Sequence, residues 1–259
     1  LIAFVIAATS MQSPTICSGA WKNCANAFSD NANRATATAT STTNKSGIWR
    51  GYGFSIGSGS HIDSVIVRAD FFASNTRGKI DVKVSGDGGV TWGSSHIVGG
   101  NTAEQTFLID VTNDLAWTPT KLSDTNFRVN VTCFKSSGGT NPTCNLDWVP
   151  VNVTYTPFDF NITVNPTEGS VLQGENITTN VSLGLVSGDG TSVFLSAQGC
   201  PTNGICTFSP TSGTPDFNSV LTIASISTNG TVSTGTYQIN VTGTGGGLSR
   251  ATPYLLTVN

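Results

Sequence analysis

Short runs in which apolar and polar residues alternate are the feature that most limits how this chain can fold. Val65 and Val67 lie in one such run, and Ile80, Val82 and Val84 lie in the next. Successive side chains of a strand point to opposite faces, so a period of two marks a strand with one buried face. No stretch sustains the 3.6-residue period of an amphipathic helix. The sequence therefore predicts an all-β protein.

The composition narrows the class of protein. Charged residues make up 10% of the 259 residues, against about a quarter in an ordinary globular chain. The net charge is -3 without a basic cluster, which argues against a nucleic-acid partner, because phosphate binding needs grouped Lys and Arg. No stretch is long enough and apolar enough to predict a membrane span.

The length and the strand pattern predict two β-domains behind an N-terminal strand. We expect a donor-type strand over residues 1–10, a jelly-roll-like β-sandwich over 11–157 and an immunoglobulin-like β-sandwich over 158–259. Met11–Ser46 reads as irregular, with a disulfide loop around Trp21 followed by an alternation of Ala and Thr over Ala35–Thr40. The later strand-like runs of the first sandwich are Gly47–Ile56, His61–Phe72, Gly78–Ser85, Glu104–Asp110, Asn126–Phe134 and Cys144–Thr156.

The first domain resembles a jelly-roll module of prokaryotic and viral surface proteins. Four segments carry the resemblance, which covers roughly residues 20–157: Gly53–Ala69, Trp117–Pro119, Phe127–Val131 and Leu146–Tyr155. The second domain resembles immunoglobulin-like modules of archaeal and bacterial surface proteins, through Asn165–Val171, Phe208–Pro215 and Gly235–Gly243. The first resemblance implies a structural or carbohydrate-associated module and no catalysis.

The first ten residues, Leu1–Ser10, contain no charge, proline or glycine. As a strand they would span roughly 33 Å, whereas as a helix they would span roughly 15 Å, half of a bilayer core. Apolar side chains fall at odd and even positions, so both faces need burial; they are Leu1, Ile2, Phe4, Val5 and Ile6. We expect this strand to insert into a neighbouring subunit. The alternatives are a strand that completes the chain's own first domain and a signal-peptide remnant.

Six cysteines form three close pairs along the chain: Cys17 with Cys24, Cys133 with Cys144, and Cys200 with Cys206. An even number with local pairing predicts three disulfides and an oxidising compartment outside the cytoplasm. None of the pairs has the CxxC spacing of a metal site.

Acceptor triplets for N-glycosylation, Asn-X-Ser/Thr, are dense in this chain. We expect N-linked glycans on a secreted protein of this kind, where they would supply the solubility that charge does not. The candidate residues are Asn44, Asn130, Asn152, Asn161, Asn176, Asn180, Asn229 and Asn240.

A single Asp-box pattern, Ser-X-Asp-X-Gly-X-Thr-Trp, occurs at Ser85, Asp87, Gly89, Thr91 and Trp92. Sialidase-like propellers carry several such boxes with an arginine cluster, and this chain is too short for six blades. We predict a structural turn in which Asp87 accepts bonds from backbone N–H groups. Trp92 would cover the base of the hairpin.

No arrangement of residues predicts a reaction centre. The sequence has no nucleophile elbow, phosphate loop or HExxH helix, and we predict no catalytic residue, no metal site and no cofactor. Its scattered Asp residues do not have the spacing of a calcium loop. Trp49, Trp117 and Trp148 could line a sugar platform or lie in the core, and both readings stay open here.

Together these features resemble archaeal thread-like extracellular filaments, which are pili built by donor-strand complementation. The resemblance implies a secreted glycoprotein at the cell surface with identical subunits as partners in a head-to-tail polymer. We therefore predict a structural filament subunit with a role such as cell adhesion. Two alternatives are a carbohydrate-binding or adhesive module with cell-surface glycans as partners, and a surface-layer component with an intramolecular N-terminal strand.

Overall fold

The computed structural model describes residues 7–227 and 230–259, and the regular secondary structure there is almost entirely β-strand. The helical turns in this part of the chain are two short 3-10 segments, Cys24–Ala27 and Pro119–Leu122. Contacts divide the chain into two units. The first holds the described residues up to Ile56 together with Ile62–Thr156, and the second holds Gly57–His61 with Pro157–Asn259. The prediction of an all-β fold made of sandwiches is confirmed.

Unit 1 is built from two sheets that share one hydrophobic core. Its strands are β1 (Ala8–Gln12), β2 (Ile16–Gly19), β3 (Ala35–Thr38), β4 (Lys45–Arg50), β5 (His61–Ala73), β6 (Gly78–Ser85), β7 (His96–Gly99), β8 (Gln105–Asp110), β9 (Arg128–Lys135), β10 (Thr143–Trp148) and β11 (Val151–Thr156). One sheet has the order β1-β11-β5-β10-β3, with β8 paired to β5, and the other has the order β2-β4-β9-β6-β7.

The alternation in β6 shows why these residues form strands. Ile80, Val82 and Val84 are fully buried, while Asp81 and Lys83 lie on the opposite face with partial exposure. β6 pairs antiparallel with β9 over its whole length, so the apolar faces of both strands point into the core. Burying a Val or Ile side chain contributes about 1.5–3 kcal/mol, which fixes the register of each strand.

The prediction of an irregular segment over Met11–Ser46 is wrong, because β2 and β3 lie within it, β1 ends in it and β4 begins in it. β3 pairs with β10 through Ala35↔Leu146, and the side chains of Ala35, Ala37 and Ala39 are buried. Alanine is a weak strand former, so the β-strand propensity of these residues did not indicate β3.

The assignment of residues 1–10 to a separate donor strand also needs correction. Ala8, Thr9 and Ser10 belong to β1, which is part of unit 1's own sheet. The polar Thr9 and Ser10 suit an edge strand with one face in water, whereas the apolar run ends at Ala8. Leu1, Ile2, Phe4, Val5 and Ile6 lie outside the described residues.

Unit 2 is a sandwich of a four-stranded and a five-stranded sheet. Its strands are β12 (Asp159–Asn165), β13 (Glu168–Val171), β14 (Asn176–Ser187), β15 (Val193–Gln198), β16 (Ile205–Ser209), β17 (Ser212–Gly213), β18 (Phe217–Ala224), β19 (Ile226–Ser227), β20 (Gly230–Thr231), β21 (Gly235–Gly245) and β22 (Leu248–Val258). The sheet orders are β12-β14-β18-β16 and β13-β22-β21-β15-β17, with β19 and β20 as a separate ribbon. Phe160, Leu183, Leu221, Ile239 and Tyr254 are among the side chains of its core.

Candidate functional site

The described part of the N-terminal segment lies at the edge of a sheet. β1 pairs antiparallel with β11 from Ala8↔Tyr155 to Gln12↔Val151, and among the described strands it has no second neighbour. Met11 on β1 is 57% exposed. Just after β1, the Trp148 Nε1–H donates a hydrogen bond to Ser13 Oγ at 2.9 Å. The chain that precedes Ala8 therefore joins unit 1 through an anchored edge strand.

Three disulfides join the cysteine pairs that are close in sequence. Cys133 on β9 and Cys144 on β10 are both buried, so their disulfide links the two sheets of unit 1. Cys17–Cys24 connects β2 to the first 3-10 segment, and Cys200–Cys206 in unit 2 ends on β16. Disulfides of this number indicate an oxidising compartment.

The Asp-box residues form a closed hydrogen-bond ring after β6. The Ser85 hydroxyl donates to Asp87 Oδ1 at 2.7 Å and accepts from the Gly89 N–H at 2.9 Å. The backbone N–H of Thr91 donates to both oxygens of Asp87 at 3.0 Å, and the Thr91 hydroxyl donates to Oδ2 at 2.5 Å. Gly88 and Gly89 have φ of 80° and 95°, which glycine adopts without strain.

These bonds also set the ionisation of Asp87. They hold the pKa of its carboxyl well below the ordinary aspartate range, with the Thr91 hydroxyl as the largest cause and the Thr91 N–H and Ser85 hydroxyl next. Each of them stabilises the charged carboxylate. The box therefore holds a loop of the sheet in one conformation, and its side chains are engaged with each other.

The glycosylation candidates differ in exposure. Asn130 and Asn152 are only partly exposed, and Asn229 lies outside the described residues. In unit 2, Asn161 Oδ1 accepts a hydrogen bond from the Gly184 N–H at 2.9 Å. The candidates that are exposed to solvent are Asn44, Asn161, Asn176, Asn180 and Asn240.

The tryptophans considered for a sugar platform do not form one. Trp49 is fully buried and Trp117 is 8% exposed. Trp148 is partly exposed, but the Arg68 guanidinium lies 4.6 Å from the centroid of its ring. One face of that ring is therefore already covered, and the core reading is the better one for Trp49 and Trp117.

Unit 1 contains a cluster of charged side chains that the sequence did not predict. Asp147, 1% exposed, lies 2.9 Å from Arg34 Nη1, and Glu104 lies 2.6 Å from Arg34 Nη2. Burial raises the pKa of the Asp147 carboxyl, although the Arg34 charge opposes the shift. The pKa of Glu104 is raised chiefly by burial, with the Asp147 charge adding to the shift.

A second arginine binds a buried carboxylate in the same unit. Arg68 donates two hydrogen bonds to the carboxylate of Asp70, from Nε to Oδ1 at 2.9 Å and from Nη2 to Oδ2 at 2.7 Å. The Thr106 hydroxyl also donates to Asp70 Oδ1, at 2.7 Å. Bidentate pairs of this kind have strong geometric preferences. Arg68 and Asp70 interrupt the otherwise apolar part of β5 from Val65 to Ala73, which is the signal that could have revealed the pair.

Arg34 lies close to Asp147 and Glu104, and Arg68 lies close to Asp70. Because each of these charged groups has a partner of opposite charge, we assign both arginine sites a structural role.

The described residues hold neither a cluster of metal ligands nor a membrane-spanning helix. No group of three or more His, Cys, Asp or Glu side chains there could hold a metal ion. No helix in residues 7–227 and 230–259 has the length and hydropathy needed to cross a bilayer. His96 is not isolated, because its Nε2 lies 2.9 Å from Asp114 Oδ2.

No protein-family model and no curated protein sequence matches the chain. Among solved structures, it is similar to the apo structure of Bacteroides uniformis beta-glucuronidase 3, with 13% identity, a TM-score of 0.23 and coverage of 83% of this chain and 27% of that one. The chain therefore spans about a quarter of the length of that protein.

Two further similarities are to non-enzymatic modules. The fibronectin(III)-like modules of Clostridium thermocellum CbhA match with 9% identity, a TM-score of 0.23 and coverage of 86% and 92%. The N-terminal domain of the Streptococcus gordonii adhesin Sgo0707 matches with 9% identity, a TM-score of 0.26 and coverage of 98% and 76%. TM-scores this low do not establish a shared topology, and they assign no activity to this chain.

Proposed function

We propose that this protein is a structural subunit of an extracellular surface filament, in which the apolar segment Leu1–Ile6 inserts into a neighbouring copy. The observation that carries the proposal is an uncharged, strand-forming run placed directly ahead of an edge strand. β1 is already extended and paired with β11, so the segment before it needs no helix or turn to continue as a strand. The pairing corrects the earlier boundary, since Ala8–Ser10 are not available for insertion.

Strand addition supplies both the affinity and the direction of growth. Burying the five large apolar side chains of this segment would contribute about 8–15 kcal/mol before the cost of ordering the strand. An acceptor must offer an open sheet edge. In unit 2, the edge strands β12 and β16 each have one neighbour among the described strands, and we propose this unit as the acceptor. A head-to-tail contact that does not close on itself propagates into a fibre.

The first experiment compares the full chain with a chain lacking Leu1–Ile6 by electron microscopy. We expect fibres from the full chain and a folded monomer from the shortened one, with an unchanged melting temperature. Phe4→Asp and Ile6→Asp should also prevent assembly, whereas Met11→Asp, at an exposed position of β1, should not. Fibres from the shortened chain would refute the proposal.

One alternative is favoured by a specific observation. Because β1 belongs to the chain's own sheet, the apolar segment could instead complete unit 1, as in a monomeric surface-layer component. In that case the full chain stays monomeric, and removal of Leu1–Ile6 lowers the melting temperature of unit 1.

A further inference from the structure

An open cleft lies on the outer face of the β2-β4-β9-β6-β7 sheet in unit 1. Its volume is about 240 Å³, and it is lined by Ser46, Asp81, Lys83, Trp92, Asn130 and Thr132. None of these residues belongs to Leu1–Ile6, the segment on which the proposed filament function depends. That function therefore assigns no role to the cleft.

The strand register places the polar residues of the cleft in two adjacent rows. Ser46 on β4 is paired with Thr132 on β9, which is paired in turn with Asp81 on β6. In the next row, Asn130 is paired with Lys83. Because side chains two residues apart share a face and neighbouring strands lie about 4.8 Å apart, the two rows form a flat array of hydroxyl, amide, carboxylate and ammonium groups.

Hydrogen bonds within the array hold it in place and leave donors available. The Ser46 and Thr132 hydroxyls are 2.7 Å apart, and Thr132 Oγ1 donates to Asn130 Oδ1 at 2.8 Å. Among the described residues, the Asn130 side-chain N–H groups donate no hydrogen bond. There too the Lys83 ammonium has only its ion pair with Asp81, at 3.6 Å.

Trp92 supplies an aromatic wall that is fixed by the Asp-box ring. Its neighbours in the chain are both held, because the Thr91 N–H donates to Asp87 and the Gly93 N–H donates to Val84 O at 2.8 Å. A Cβ on Gly89 would be 3.4 Å from Trp92 Cζ2, so the indole also packs against the turn. The indole is partly exposed and is positioned before any ligand arrives.

We infer that this cleft binds one pyranose unit of a neutral saccharide. A pyranose has an apolar C–H face, which packs on an aromatic ring, and a rim of hydroxyl groups, which pair with amide, carboxylate and ammonium groups. The opposite charges of Asp81 and Lys83 compensate each other, which disfavours an anionic or cationic ligand. The lining is too polar for a purely apolar ligand, since its polar groups would lose their water without replacement.

The saccharide comes from solution or from another molecule and is not attached to the cleft itself. Asn130 is an acceptor for N-glycosylation by sequence, so a covalent glycan there is the competing source of sugar. The protein should therefore be produced in an oxidising host without N-glycosylation, and the native protein should be checked for a glycan on Asn130 by mass spectrometry. A glycan at Asn130 in the native protein would overturn the proposal.

Binding is then measured by saturation-transfer NMR and calorimetry with methyl glycosides of hexoses and N-acetylhexosamines and with their disaccharides. We expect one of these to bind, and Trp92→Ala, Asn130→Ala and Lys83→Ala each to weaken binding by about tenfold or more. If Trp92→Ala does not fold, the two surface variants decide the outcome.

Lys22→Ala is the matched control. Lys22 lines a second cleft of about 240 Å³ in unit 1, with Ala20, Thr36, Ala37, Thr38 and Lys45, which has no aromatic or carboxylate side chain. The affinity of the Lys22→Ala variant for the saccharide should equal that of the unaltered protein. Absence of binding to every saccharide tested would overturn the proposal, as would unchanged binding in folded Asn130→Ala and Lys83→Ala.

Discussion

Ala8 of β1 is paired with Tyr155 of β11, so the strand that follows the apolar N-terminal segment is part of this chain's own sheet. We expect removal of Leu1–Gln12 to uncover β11, whereas removal of Leu1–Ile6 alone leaves β1 in place. Hydrogen exchange of the β11 amides should then be faster in the longer deletion than in the shorter one, because those amides lose a neighbouring strand. Equal exchange in the two deletions would show that β1 does not protect β11.

The ion pair of Arg34 with Asp147 should be important for the stability of unit 1. Asp147→Asn removes one of the two carboxylates that contact Arg34, while Glu104 stays 2.6 Å from Arg34 Nη2, so we expect the variant to lower the free energy of unfolding by about 2 kcal/mol. Asp30 is the matched control, since it is 57% exposed and lies 3.5 Å from Arg68. Asp30→Asn should cost about 1 kcal/mol or less. Urea unfolding followed by tryptophan fluorescence measures the free energy of unfolding of both variants. Similar losses of free energy in Asp147→Asn and Asp30→Asn would argue against a stabilising role for the Arg34–Asp147 pair.

The Tyr254 hydroxyl should limit which residues are tolerated at position 169. A Cβ on Gly169 would overlap this hydroxyl and come within 2.6 Å of Ile177 Cδ1, so we expect Gly169→Ala to lower stability by about 1–3 kcal/mol. Among the described residues, Tyr254 Oη has no hydrogen-bond partner. Tyr254→Phe should therefore be nearly neutral.

The double variant Gly169→Ala/Tyr254→Phe should recover part of the loss, because it removes the overlapping oxygen. Gly138→Ala, where an added Cβ would have no neighbour within 4 Å, is the control for the change of residue type. Purely additive losses in thermal unfolding would mean that the hydroxyl is not the cause.

The Asp-box should make stability depend on pH at the acid end. The folded pKa of Asp87 is lowered, chiefly by the Thr91 hydroxyl, so the folded chain binds this proton less readily than the unfolded chain does. The ionised Asp87 therefore stabilises the folded chain. This contribution is fully present above the ordinary aspartate pKa of about 3.9 and is lost as the pH falls below that value. The difference in melting temperature between the unaltered protein and Asp87→Asn should thus be constant near neutrality and shrink below about pH 4.

Thr91→Val removes the largest cause of the shift and should reduce this pH dependence. A difference between the unaltered protein and Asp87→Asn that stays constant into strong acid would contradict the assignment.

Much of the fold was predictable because it rests on local patterns. Alternation predicted β5, β6, β8 and β9 to within a few residues, since a strand with one buried face must repeat every two residues. The run Cys144–Thr156, predicted as one strand, is two strands, β10 and β11. β3 was missed because the alternation of Ala and Thr over Ala35–Thr40 carries too little hydrophobicity to indicate a buried face. The one-sided pairing of β1 could not be predicted either, since it depends on which strand borders it in space.

The sequence alone determined the all-β class, the cysteine pairs and the Asp-box turn, because each depends on residues that are close along the chain. The tertiary structure decided which side chains from distant strands meet. It brought Arg34 to Asp147, and it set Lys83 beside Asn130 near Trp92 in one cleft. Such encounters are fixed by sheet order and register, which follow from packing two sheets around a common core and leave no mark in the spacing of the residues involved.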